Sequence, residues 1–371
     1  MGKTKKKKKS LLIAKGGQGC IFKPEIPCKN KTKNFKPKSG TLSKISFRPE
    51  SSTYEFEMNE YVREIKNHDE WAVLWDKKCK TPAYSTLSEF SEIDKCIEKE
   101  NIKRKKKQKS DLSKHTQYEM LIGPYSGQPA ADIFSKEFNH KIYSQQKLFN
   151  QAIHKLFKYM KPLFEGINEL DKHKIFHNDL NDRNMIYKNK QFYMIDFGLA
   201  SKYSNISGIK KRMKFIFETD KIYESYPWDY TLYSSTFNQK YKTLLKQEYN
   251  DYKQNFIMRD EGDEINDIYL CMGIHNIHDL LLSLMNDFIH NKYKPTCKDI
   301  ISKMDVYSLG ILLPTMIYRY GLIHGKTVNE IQKLCSHKEL NEIFDLLHQM
   351  TQLKSTERIT PSEAYKIYQE I

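Results

Sequence analysis

Residues 175–200 read IFHNDLNDRNMIYKNKQFYMIDFGLA, and the spacing inside this stretch governs how the rest of the chain is read. Asp179 is followed five residues later by Asn184, and Asp196 stands immediately before Phe197 and Gly198. The two apolar runs between them, MIY and FYMI, read as short strands, so the three oxygen-bearing side chains are carried at strand ends and turns. Hard cations such as Mg²⁺ take oxygen ligands and keep several waters, so one Asn and one Asp plus phosphate oxygens suffice to hold the metal. The remaining carboxylate, Asp179, is then available to orient a hydroxyl. Neither short motif is decisive alone; their order and separation carry the signal.

Outward from this segment, residues 11–24, LLIAKGGQGCIFKP, read as strand, glycine turn and strand, ended by Pro24. Residues 25–40 are rich in Lys, Pro and Asn and read as a loop, while TLSKISF at 41–47 alternates like a strand. Residues 53–67 have helical spacing at Met58, Tyr61, Val62 and Ile65. Further on, Ile153, Leu156, Phe157, Met160, Phe164 and Ile167 repeat at intervals of three and four. Strands are concentrated in the first third and the remainder is mainly helical, which predicts an α+β fold.

Taken together these segments resemble the eukaryotic-type protein kinase superfamily. Its HRDxxxxN loop is matched by His177-Asn178-Asp179 through Asn184, and its DFG by Asp196-Phe197-Gly198. AKGGQGCI at 14–21 fits GxGxxGxV, with Ala14 in the first glycine place, Gly16 and Gly19 in the second and third, and Ile21 for Val. Lys44 suits the phosphate-contacting lysine of the third strand, DVYSLG at 305–310 looks like DVWSLG, and TERITPSEAY at 356–365 looks like the closing RxTAxEAL element. The resemblance spans nearly the whole chain.

The resemblance implies a bilobal kinase-like fold: a basic tail at 1–10, a small strand-rich N-lobe at 11–124 and a larger helical C-lobe at 125–371. It implies ATP and Mg²⁺ as cofactors and Ser/Thr hydroxyls of a protein as substrate. Ala14, Gly16, Gly17, Gly19 and Ile21 would approach the nucleotide, with Lys44 on its phosphates and Asp179 as catalytic base. Asn184 and Asp196 would hold the metal, and a Glu on the helix after Lys44 would pair with it. Helical phase favours Glu57, with Glu60 the alternative. His177 reads as a packed, supporting residue. The GGQGCIFKP loop, the LIGPYSGQ segment as a hinge, and YPWDY in place of APE resemble the divergent kinases of large double-stranded DNA viruses.

Departures from the family pattern matter equally. Asn178 replaces the Arg of HRD, which makes control by activation-loop phosphorylation less expected, and Asn181 stands where Ser/Thr kinases carry a Lys. These substitutions keep a nucleotide-binding scaffold without turnover as a second reading. The HND spelling is shared with choline-kinase-like enzymes, which gives a third. PWD at 227–229 is the candidate replacement for APE, with Asp229 pairing with Arg358. Between Asp196 and Asp305 lie an expected insertion at about 231–300 and two amphipathic patterns, Tyr241, Leu244, Leu245 and then Leu280, Leu281, Leu284, Met285, Phe288.

The 371 residues carry 62 Lys+Arg against 46 Asp+Glu, a formal charge of +16, with 39% hydrophobic residues, enough for a packed core. Residues 1–10 and 99–109 each contribute a net +6, so +12 of the charge lies in two short runs. Such runs are solvated, or serve nuclear targeting or contact with nucleic acid or an anionic surface. The N-terminus lacks the apolar stretch of a secretory signal, and no uninterrupted apolar run reaches the length of a transmembrane span. Seven scattered cysteines, none in a CxxC pair, argue against a disulfide framework or a zinc site and for a reducing, intracellular setting. Cys20 reads as a packed small residue, with an accessible thiol near the nucleotide as the alternative.

Overall fold

Short alternating segments of β-branched and aromatic residues, broken by Gly and Pro, build the N-terminal third of the computed structural model, which describes residues 10–15, 19–106, 117–218, 224–233 and 260–371. The chain divides into two compact units. The first comprises 1–66, 73–127 and 196–198; the second comprises 67–72, 128–195 and 199–371. Helices and antiparallel strands both occur, with helix predominating, which makes the fold mixed α+β.

In the first unit, strands β1 (Leu11–Lys15), β2 (Gly19–Lys23), β3 (Thr41–Ser46), β4 (Lys77–Lys80) and β5 (Glu119–Pro124) form an antiparallel sheet in the order β1-β2-β3-β5-β4. Helix α1 (Pro49–Arg63) packs against β3, β4 and β5, with Pro49 in its first turn, where a missing N–H costs nothing. Helices α2 (Tyr84–Phe90) and α3 (Ile93–Lys106) follow, and α3 packs against β1. Cys20, Phe22, Ile45, Phe47, Ile97 and Met120 lie in the core of this unit. Gly19 is required by packing: a Cβ there would overlap the Ile45 carbonyl on β3.

Two disulfides lie in this unit, Cys20–Cys96 between β2 and α3 and Cys28–Cys79 between the following loop and β4. They overturn the expectation that the chain lacks a disulfide framework. The paired cysteines are 76 and 51 residues apart, so only the tertiary fold brings them together and no local spacing announces them. Cys20 is accordingly a buried, bonded residue rather than an accessible thiol. Cys271, Cys297 and Cys335 are buried and free.

The second unit is organised on the helix Met304–Ile323, buried on nearly all sides as expected of an all-round apolar helix in a core. Helices 161–172, 260–271, 328–335, 341–350 and 361–370 pack against it. The segment Cys297–Ile323 has the length and mean hydropathy, 1.4, of a membrane span, but 89% of its apolar window is buried inside the protein. Neither the expectation of no apolar span nor this helix's composition therefore points to a bilayer. Thr296, Thr327 and Thr360 each start a helix with a reciprocal capping box, the last on the TPSEAY segment. The apolar runs on either side of Asn189 and Lys190 form the hairpin Met185–Lys188 and Gln191–Met194, and both turn residues have positive φ, 52° and 60°, as a two-residue hairpin of this twist demands.

Asp229 and Arg358 meet at 3.2 Å with both side chains fully buried. Asp229 also accepts from the Tyr293 hydroxyl and the Ser355 N–H. Of the expected insertion, the first amphipathic pattern lies outside the described residues. The second forms the helix Ile277–Ile289, which packs against the helix Trp228–Leu232, and Asp287 pairs with Lys354 at 2.8 Å. The described part of the insertion is thus built into the unit.

Two outcomes follow from these ties. Replacing Cys96 or Cys79 by Ser is expected to lower the stability of the first unit by about 2–4 kcal/mol each, read from denaturant unfolding with and without reductant. Wild-type unfolding that ignores reductant would contradict both bridges. Asp229→Ala, which strands a buried guanidinium, is expected to cost about 3–5 kcal/mol in the second unit, measured the same way.

Candidate active site

Lys44 sits mid-strand in β3, and the sheet register places Ala14, Ile21, Lys44 and Leu121 in one row across four adjacent strands. Three residues expected at the nucleotide, Ala14, Ile21 and Lys44, are therefore side by side, and Gly19 pairs with Ser46 further along β2 and β3. Gly16 and Gly17 lie outside the described residues. The Lys44 Nζ donates to Glu55 Oε1 and Oε2 at 2.9 and 2.8 Å and to Asp196 Oδ1 at 3.1 Å.

The lysine's partner on α1 is thus Glu55, and the assignment to Glu57, with Glu60 as alternative, is corrected. Ser52, Glu55, Met58, Asn59 and Val62 face inward on this helix, whereas Glu57 and Glu60 are exposed. Tyr61, counted as apolar in the phase reading, is 42% exposed, which rotated the inferred face away from Glu55. The Glu55 carboxylate also accepts from the Trp75 indole N–H at 2.7 Å.

One cation faces two carboxylates here. Burial works against the charged lysine, but the charges of Asp196 and Glu55 outweigh it and hold the Lys44 pKa above its ordinary value. Burial, and then the charge of Asp196, push Glu55 up from 4.5 to about 7, against the pull of Lys44 and the Trp75 bond. Asp196 has φ 62°, a left-handed conformation that is costly for a residue with a Cβ, and its Oδ1 accepts from Gly198 N–H at 3.4 Å.

The second unit carries the 177–184 loop. Buried Asp305 accepts the backbone N–H groups of His177 at 2.6 Å and Asn178 at 3.0 Å, and so fixes the start of the loop. Its carboxyl is raised by burial, opposed by His177 and those two N–H groups. His177 is fully buried with Nε2 3.0 Å from the Ile195 carbonyl, a packing role. Asn178 has φ 63°, a region Asn tolerates better than most residues. Its amide donates to the Leu199 carbonyl, its own carbonyl accepts from the Tyr226 hydroxyl, and Arg212 donates to that hydroxyl.

Both oxygens of Asp179 are gripped by amides: Asn184 Nδ2 donates to Oδ2 at 2.8 Å and Asn181 Nδ2 to Oδ1 at 3.1 Å. Asn181, which the sequence presents as a missing lysine, orients Asp179 and also caps the turn through Arg183 N–H. Ile195, the residue before Asp196, donates its N–H to the Asn184 carbonyl at 3.0 Å. Asn184 and Asp196 offer a carboxamide and a carboxylate, hard oxygen donors of the kind Mg²⁺ takes. The net negative charge of the Lys44, Glu55 and Asp196 cluster is what a divalent cation would relieve.

Glu55, Trp75, Asp305 and Tyr226 hold residues of the candidate site, a part the motifs did not assign to them. Asp305 lies inside DVYSLG and Tyr226 inside YPWDY, whereas Glu55 was one of several acids on its helix and Trp75 carried no sequence signal. No family model matches the chain, and no curated protein matches it either.

Because the folded protein holds the Glu55 proton more tightly than the unfolded chain, this group's contribution to stability is complete below pH 4.5 and is lost as pH rises through about 7. The unfolding free energy of wild type relative to Glu55→Gln should therefore fall across that window in urea titrations. A difference that stays flat from pH 4.5 to 7 would mean that Glu55 titrates normally.

Proposed function

We propose that this chain is an ATP-dependent protein kinase with a bilobal kinase-like fold, transferring the γ-phosphate to Ser or Thr hydroxyls. The observation that carries the reading is the buried Lys44 held between Glu55 and Asp196, a lysine kept charged and aimed although burial opposes it. A surface lysine needs no such support, whereas a lysine that must meet phosphate oxygens does. The paired amides on Asp179 support the same reading, because a base that accepts a hydroxyl proton has to be held in one orientation.

In the proposed reaction Lys44 balances phosphate charge and Asp179 orients the attacking hydroxyl. The hydroxyl oxygen forms a bond to the γ-phosphorus as the bond to the ADP oxygen breaks, and the hydroxyl proton passes to Asp179. Mg²⁺, when bound, would neutralise phosphate charge on oxygens of Asn184 and Asp196. Asn181 and Asn184 keep the Asp179 carboxylate aligned throughout. The neutral ties of Asn178 to Leu199 and Tyr226 favour a segment after Asp196 that needs no phosphate to hold it.

Purified protein incubated with γ-labelled ATP, Mg²⁺ and generic protein substrates is expected to label Ser or Thr. Lys44→Met, Asp179→Asn and Asp196→Asn should each reduce labelling by roughly 10²-fold or more. Wild-type protein that binds Mg·ATP but labels nothing would replace this reading with a nucleotide-binding scaffold. Labelling of a small alcohol but of no protein would replace it with a small-molecule kinase.

A further inference from the structure

The Glu55 carboxylate is gripped from two sides, by Lys44 and by a tryptophan that the phosphotransfer reading does not use. Trp75 lies between α1 and β4, and its indole N–H donates to Glu55 Oε1, the same oxygen that accepts from Lys44. The backbone of Trp75 is fixed by the same helix: its N–H donates to Asn59 Oδ1 at 2.8 Å, and its carbonyl accepts from Arg63 Nη2 at 2.7 Å. Glu55, Asn59 and Arg63 recur every four residues, so a single stripe of α1 makes all three bonds. Asn59 also donates back to the Glu55 carbonyl at 2.6 Å, which ties the stripe together.

The opposite side of the ring rests on strand β5. A Cβ at Gly123 would lie 2.9 Å from Trp75 Cε3 and 3.3 Å from both the Trp75 Cα and the Leu74 carbonyl oxygen. Only glycine lets the strand come this close. Gly123 pairs with Leu42 on β3, two residues from the Lys44–Leu121 pair on the same two strands. The ring is therefore seated against the strand that pairs with Lys44's own, and bonded to the helix that carries Glu55.

We propose that Trp75 is a positioning residue: its indole N–H fixes the rotation of the Glu55 carboxylate so that both oxygens face Lys44, and Gly123 makes the seat. A carboxylate with donors on one side only can turn about its terminal bond, whereas donors converging from β3 and from Trp75 define one orientation. The proposal rests on the phosphotransfer reading only where turnover is measured.

The test uses the full chain and three variants. Trp75→Phe keeps a ring on Gly123 and both backbone bonds but removes the N–H. Glu55→Gln weakens the acceptor, and Gly123→Ala displaces the ring. The chain has three tryptophans, so the indole N–H resonance missing from Trp75→Phe identifies Trp75 in a ¹⁵N spectrum. That resonance should move upfield in both Glu55→Gln and Gly123→Ala; if it stays in place in both, the proposal fails. Amide exchange in the 55–62 turns of α1 should quicken roughly tenfold in Trp75→Phe, the scale of one lost bond to a charged group, while the helix 304–323 exchanges as before. Turnover should fall about tenfold in kcat with little change in KM for ATP, since Lys44 orients the phosphates for transfer. Unchanged exchange and unchanged kcat would each overturn the proposal. If wild type shows no turnover, the kinase reading fails by itself, and the resonance and exchange measurements still decide the role of Trp75. If Trp75→Phe does not fold, the Trp75 indole resonance is assigned in wild type through its connection to the Trp75 backbone, and the other two variants, which retain the indole, decide it.

Discussion

An ammonium group cannot be taken out of water alone, and Lys44, 8% exposed, is tolerated in the first unit because carboxylates meet it there. That constraint orders much of the unit around it. Strand β3 turns Lys44 inward, α1 presents Glu55 rather than the other acids it carries, and Asp196 arrives from 152 residues away in sequence. With two acids sharing one base, neither carboxylate is fully compensated. The cluster stays electrostatically unsatisfied, as the proposed role of meeting phosphate and metal requires.

The second unit answers a related problem with neutral donors. Asp305 is buried against two backbone N–H groups, and Asp179 is held by two amides. Left-handed backbone occurs in each unit, at Asn178 beside these carboxylates in the second and at Asp196 in the first. Asp229 and Arg358, by contrast, satisfy each other, with tyrosine and serine partners completing the network. That pair anchors the segment around Trp228 and asks nothing of a ligand.

Much of this was legible in the sequence wherever a residue's type and its neighbours agree. The strands on either side of Asn189 and the strand carrying Lys44 belong to that class, whereas the Asp229–Arg358 pair was reached only through the family resemblance. Glu55 was not legible, because a buried glutamate reads as a polar position and argues against the face it occupies, while half-exposed Tyr61 argues for the wrong one. Asn181 was read as an absence of charge, since what an amide can grip is invisible until its neighbours are placed. The disulfides and Trp75 depend on contacts between distant segments, for which periodicity and motif spacing carry no signal.

The two disulfides are nested, Cys28–Cys79 inside Cys20–Cys96, and the inner one encloses Lys44, Glu55, Asn59, Arg63 and Trp75. Covalently, this part of the protein is a ring rather than a line. A protease that cuts once between Cys28 and Cys79, even between the lysine and its glutamate, leaves two fragments still joined by the bridge. A nicked molecule can therefore keep the ion pair closed, and the cut becomes visible as separate pieces only after reduction.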